Sequence, residues 1–104
     1  MTDQIVKKII LEPSLDRCVE TIARRRYWDL VDEYSRTILT KGILRDVEMK
    51  IEALRLFLED LNIHEYKRKT EDLMGKGKKV FLVLELTREG LNVVIEHHES
   101  MTVS

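Results

Sequence analysis

Three arginines stand next to two aromatic residues in the stretch IARRRYWDL, residues 22 to 30. Guanidinium groups neutralise phosphate and flat rings stack on bases, so single-strand nucleic-acid binders use this combination. Successive residues of a helix are turned by about 100°, however, so Arg24, Arg25 and Arg26 point in three directions and cannot form one basic surface. The aromatic rings fit a core or an interface more simply. We expect a structural segment and keep Arg24 and Arg25 as candidates for contacting nucleic acid.

A larger basic cluster occurs in the stretches YKRK and GKGKK, around the predicted end of a helix and the start of a hairpin. Helix, turn, helix and hairpin is the element order of a winged-helix DNA binder, in which the helix before the wing enters the major groove. Acidic residues at positions 65, 71 and 72 dilute the charge of that helix. The candidate nucleic-acid contacts in this cluster are Lys67, Arg68, Lys69, Lys76, Lys78 and Lys79.

Two of the three histidines lie side by side in EHHES, residues 96 to 100. Neighbouring residues of a strand face opposite sides, so His97 and His98 cannot bind one metal ion together. Each could join a nearby glutamate, but two ligands need more from a partner chain to make a site. We predict no metal or cofactor, and keep a metal-dependent enzyme using these histidines across a dimer interface as a distant alternative. No recognisable nucleophile motif is present, and we do not favour an enzyme.

Composition indicates one folded domain. The chain has 104 residues, of which 43% are apolar and 36% charged, and its formal net charge is -1. A neutral domain binds nucleic acid only if its positive charge is gathered on one face. The scarcity of asparagine, glutamine and proline is typical of a thermophilic source.

Cys18 is the only cysteine, which excludes an internal disulfide and favours a reducing compartment. The first residues carry no secretory apolar segment, and no apolar run approaches the ~18 residues of a membrane span. We therefore expect a soluble, cytoplasmic protein.

Hydrophobic spacing predicts helices over about residues 3–74. IVKKIIL, near the amino terminus, suits a short helix or a strand, and we favour the helix. Ser14 is the predicted cap of a long second helix, which ends at Gly42. After Gly42 a 4, 3, 4, 3 spacing of apolar residues indicates a helix packed lengthwise against another helix. This leucine seam consists of Val47, Ile51, Leu54, Leu58 and Leu61.

The last third of the chain predicts a β-hairpin over about residues 79–98. KKVFLVLEL and LNVVIEHHE are rich in strand formers, and TREG supplies a turn in which Gly90 can take a positive φ. One face of the first strand is wholly apolar, and Phe81 and Val83 make the other face half apolar. Because an isolated hairpin is marginal in water, we expect the helices to cover one side, and an N-terminal strand or a second copy of the chain to cover the other.

These observations predict a single mainly helical α+β domain, in which a long antiparallel helix pair is closed by a C-terminal hairpin. We expect a homodimer, because the apolar surface exceeds what one small core can bury. The interface candidates are Val47, Ile51, Leu54, Leu58, Leu61, Phe81 and Val83. The favoured function is a non-catalytic protein-interaction module, an adaptor or small subunit with a partner protein. The alternative is a dimeric winged-helix-like DNA-binding regulator.

Overall fold

A computed structural model describes residues 5–42 and 44–99 of the chain. Within them the chain forms three helices and a three-stranded antiparallel sheet, so the α+β class is confirmed. In chain order the elements are β1 (Ile5–Leu11), α1 (Val19–Lys41), α2 (Arg45–Leu58), α3 (Ile63–Gly75), β2 (Lys78–Thr87) and β3 (Gly90–Glu99). None of the helices in the described ranges has an apolar stretch long enough to cross a bilayer.

The sheet has the order β1-β2-β3, with β2 in the centre. β2 and β3 form the predicted hairpin, in which Thr87 pairs with Gly90 across the two-residue turn Arg88 and Glu89. Gly90 has the expected positive φ, 142°, a conformation that side-chain-bearing residues rarely adopt. The prediction of a C-terminal hairpin is confirmed.

The prediction of a helix at the amino terminus is wrong, because residues 5–11 form β1. Positions 3 and 4, where the predicted helical range begins, lie outside the described residues. β1 pairs with β2 antiparallel, placing Ile9 opposite Leu84 and Leu11 opposite Leu82. The β-branched residues of IVKKIIL suit a pleated strand. Pairing with β2, whose edge would otherwise be free, favours the strand over the helix. β1 thereby covers that edge of the hairpin.

The long second helix begins later than Ser14. Ser14 and Arg17 instead close a separate turn with two backbone hydrogen bonds, and the Ser14 hydroxyl accepts a third from the backbone N–H of Arg17. Cys18 has extended backbone angles and is the N-cap of α1. The serine therefore caps a turn that precedes the helix. At the other end, the backbone N–H of Gly42 donates to Ile38, and Gly42 ends the helix as predicted.

The core lies between the helices and one face of the sheet. In the centre of that face Leu82 and Leu84 of β2 have no exposed surface. Against them pack residues of α2 that are equally buried, among them Leu54 and Phe57. The whole buried cluster is Ile9, Leu11, Val19, Ala23, Leu30, Ala53, Leu54, Phe57, Ile63, Leu82 and Leu84.

Polar contacts connect the elements around this core. The Lys7 ammonium of β1 pairs with Asp46 in the first turn of α2. The Tyr34 hydroxyl of α1 donates to the Glu48 carboxylate of α2 at 2.9 Å. Burial, followed by the hydrogen bond to Glu48 and its negative charge, raises the pKa of Tyr34 above its ordinary value. The phenol therefore stays protonated, as a donor to that carboxylate requires.

Truncating Leu84 tests the position of the core. Leu84→Ala should lower the free energy of unfolding by about 2–5 kcal/mol, because it leaves a cavity at a fully buried site of the central strand. Leu39→Ala is the matched control: Leu39 is 88% exposed, so its change should stay within about 0.5 kcal/mol. Urea unfolding of both variants measures the difference, and equal midpoints would contradict this packing.

Candidate interaction site

The basic cluster is largely paired with carboxylates. Lys69 lies 3.3 Å from Glu65, and Lys76 lies 3.3 Å from Asp72, both one turn away on α3. Lys78 and Lys79 are 4.0 Å and 3.7 Å from carboxylates that belong to β3 and to the segment after β1. These pairs reduce the positive field that the cluster could direct at phosphate.

The other nucleic-acid candidates, on α1 and α3, differ in pairing and in exposure. On α1, Arg24 pairs with Glu20 at 2.9 Å, and Arg25 is exposed. On α3, Lys67 is half-buried and its charge reaches Cys18 at the start of α1, whereas Arg68 is exposed.

The aromatic pair beside the arginines is divided between core and solvent. Tyr27 packs against the core cluster, but Trp28 is 61% exposed. The edge of one ring meets the other, with centroids 5.4 Å apart. The expectation of a core or interface position therefore agrees with the placement of Tyr27, whereas Trp28 is not a core residue.

The two C-terminal histidines face opposite sides of β3. His97 is opposite Val80 in the register and lies on the face that carries the core, whereas His98 is opposite Lys79 on the other face. His98 also meets the ring of Phe81, with centroids 6.1 Å apart. Over the described ranges, no three His, Cys, Asp or Glu side chains are grouped so that they could hold a metal ion.

Most of the leucine seam is used inside the chain. Leu54 is fully buried in the core, and three neighbours of the seam pack against the same cluster: Val47, Ile51 and Leu58. Leu54 therefore cannot contact a second chain, since its surface is already covered by the sheet and α1. Leu61 lies beyond the end of α2 and is 97% exposed, so it does not continue the seam.

Among the described residues, no helix packs against one face of the sheet. We call it the open face; its central cross-strand row is Ile10, Val83 and Val94, one residue from each strand. Ile10 is 55% exposed, whereas Val83 between its two neighbours is almost fully buried. Phe81 is half-buried one row away. The open face thus has an apolar centre in which Ile10 is exposed, Val94 is partly exposed and Val83 is buried.

Charged and polar residues surround this centre. Lys8 is opposite Glu85 in the register, and Glu85 accepts a hydrogen bond from Asn92 at 3.0 Å. Towards the other end, the Lys79 ammonium lies 5.6 Å from the centre of the Phe81 ring. An apolar centre within a polar rim is the usual arrangement of a protein interface.

A groove runs between α3 and the free edge of β3. We call it the β3 groove; it has a volume of about 470 Å³. Its lining is Tyr66, Lys69, Asp72 and Leu73 from α3, with Val93, Ile95 and His97 from β3. The Tyr66 ring stacks on Phe57 of the core, with centroids 5.9 Å apart, which fixes that wall of the groove. Burial and the nearby charge of Asp60 raise the pKa of Tyr66, so its hydroxyl remains a donor.

Sequence reasoning missed this groove and the setting of Cys18. A helix and a strand that are separated in the chain form the groove, so no local pattern indicates it. Cys18 is half-exposed at the N-cap of α1, with its sulfur 3.3 Å from the Thr21 hydroxyl. Cysteine is not a favoured N-cap residue, and the sequence carried no signal for it.

The rate of Cys18 alkylation should rise with pH around a midpoint at the thiol pKa, which lies below the ordinary 9.0. Burial alone raises this pKa, but hydrogen bonds from Thr21 and Glu20 and the charge of Lys67 together outweigh it. A lower pKa means more thiolate, and faster reaction with iodoacetamide, at any pH below 9. Lys67→Met should move the midpoint of the pH–rate curve upward, while Lys8→Met on the open face should not. Equal midpoints of the pH–rate curves for the folded and the urea-unfolded chain would contradict a lowered pKa of Cys18 in the folded protein.

Comparison with known proteins gives one match. No curated protein and no solved structure matches the chain. A protein-family model matches residues 7–96, from within β1 to within β3, and so includes all three helices and the sheet. Because the match covers most of the 104 residues, the chain belongs to the family that this model describes.

Proposed function

We propose that the protein is a non-catalytic interaction module, an adaptor or small subunit that docks a partner protein on the open face of its sheet. The observation that carries this proposal is the apolar centre of that face, where Ile10 is 55% exposed and Val94 is partly exposed on either side of the buried Val83. An exposed apolar patch with a polar rim is a feature of interaction surfaces. The single cysteine supports a cytoplasmic, reducing location for this work.

The form of the module is part of the proposal. We infer that α1 and α2 act as one long antiparallel helix pair that supports the sheet from behind. A short connection after Lys41 joins the two helices. The hydrogen bond from Tyr34 to Glu48 supports this arrangement. We also infer a homodimer, since a three-stranded sheet has two edge strands and only one of them, β1, carries features that prevent pairing with another strand.

Partner binding can be tested with variants of exposed apolar residues. Proteins that co-purify in stoichiometric amount with the wild-type chain from its own cells are identified, and the complex is rebuilt from purified components. Ile10→Lys should weaken that complex at least about tenfold, since it places a charge in the apolar centre. Leu61→Lys, at an equally exposed leucine beyond α2, should bind like wild type. Equal affinity of both variants, or failure to rebuild any complex, would contradict docking on the open face.

The second candidate is a winged-helix-like DNA-binding regulator. It is favoured by the order α2, turn, α3 and hairpin, which puts an exposed Arg68 on the helix before the wing. Such a regulator should bind a DNA duplex at ~50 mM salt and lose at least about a hundredfold in affinity by ~200 mM. Replacing Lys76, Lys78 and Lys79 by alanine should weaken that binding further. Binding that is absent, or that does not change with salt, would exclude this candidate.

A further inference from the structure

We propose that β3 pairs antiparallel with β3 of a second copy, so that two chains share one continuous six-stranded sheet. The two-fold axis lies between Val94 of one chain and Val94 of the other, perpendicular to the sheet. The inference rests on the homodimeric form of the proposed function and specifies its surface. It does not require that the open face bind another protein, so the two ideas can fail separately.

The two edges of the sheet are protected unequally. β1 has seven residues, an irregularity in its pairing between Ile5 and Lys7, and a second lysine at position 8. Bulges and lysines are the devices with which proteins prevent an edge from pairing. β3 has ten residues in unbroken register with β2, and none of them is lysine, arginine or proline. No described strand pairs with the outer edge of β3, and a second copy supplies one of matching length.

One register of self-pairing continues the apolar rows of the sheet. When Val94 lies opposite Val94 of the second copy, Val93 lies opposite Ile95 on the face that carries the core. On the open face, the row from Ile10 through Val83 to Val94 then runs without interruption into the same row of the other chain. A register centred on Ile95 would instead place Val94 opposite Glu96 and Val93 opposite His97, which interrupts the open-face row and one apolar row on the other face. Side-chain pairing thus selects the register about Val94.

Polar residues are complementary in the same register. Asn92 comes opposite Glu96 of the second copy, where its amide can donate to the carboxylate, and residues 90–98 form no charged pair of like sign. Beyond them, Glu99 faces Glu89 of the turn at the end of the paired strands. Above the strands, the β3 groove presents Lys69 and Asp72 from the same helix. A two-fold axis perpendicular to the sheet keeps both α3 helices on the same face of the shared sheet, so these opposite charges of the two chains lie on one side of it. An isologous interface requires this self-complementarity.

The second copy would also fill the β3 groove. Leu73, Val93 and Ile95 line it and are only half-buried in the single chain. Across the axis each groove meets the other, so that apolar side chains of one chain cover those of its copy. Backbone hydrogen bonds along the β3 edge and apolar burial in the groove stabilise the same contact.

The test compares Val94→Lys with Ile10→Lys by light scattering at ~100 μM. Wild type should have twice the chain mass of 12.3 kDa. Val94→Lys should have the chain mass, because the Cβ atoms of the two lysines would lie about 5 Å apart at the axis and their like charges would repel. Ile10→Lys, on the same face but at the other edge strand, should remain a dimer. Circular dichroism should show that both variants keep the wild-type fold.

A mixture of two oppositely charged variants at position 94 tests the same interface. Val94→Lys and Val94→Glu, each a monomer alone, should form a dimer when mixed, because opposite charges then meet at the axis. Hydrogen exchange should show slow amides at alternate β3 positions in wild type that become fast in Val94→Lys. A monomeric wild type would overturn the inference and the homodimer together. A dimer that Ile10→Lys dissociates and Val94→Lys does not would overturn the β3 interface alone and indicate stacking through the open face.

Discussion

Burial of the central strand β2 is the constraint on which the rest of the structure depends. Leu82 and Leu84 are fully buried, and each contributes about 1.5–3 kcal/mol only if the sheet on both sides and the helices above are in place. β1 must therefore pair with a strand that lies more than sixty residues later in the chain. The three helices form the connection between these strands, and Leu54 and Phe57 of α2 cover the leucines.

The same constraint leaves two surfaces unfinished. Three helices can cover one face of a three-stranded sheet, and in this chain all of the buried cluster lies on that side. None of the described elements packs against the open face, where β2 carries the half-buried Phe81. Likewise, no described element follows β3 to cover its edge. Within the described residues, both surfaces lie outside the packing between the helices and the sheet.

Charge on the helices is mostly balanced between neighbouring residues. Carboxylates one turn away from Arg24, Lys69 and Lys76 form exposed pairs that contribute little stability individually. Their effect is to hold the surface close to neutral over short distances. The cations that looked like a nucleic-acid site in the sequence are therefore mostly paired, and the apolar surfaces of the sheet carry the stronger argument about function.

Periodicity in the sequence determined the helices, the hairpin and the apolar face of β2, because 3.6-residue and two-residue spacings depend only on the chain's own geometry. It also determined that His97 and His98 face apart. It did not decide whether IVKKIIL is helix or strand, since both periods fit and only pairing with β2 separates them. Nor did it place Cys18 at an N-cap or bring Tyr66 beside Val93, because these depend on contacts between distant segments. The leucine seam showed that α2 packs against something, but only the tertiary structure identified that surface as the chain's own sheet. Local spacing fixes which side of an element is apolar, and long-range packing decides what covers it.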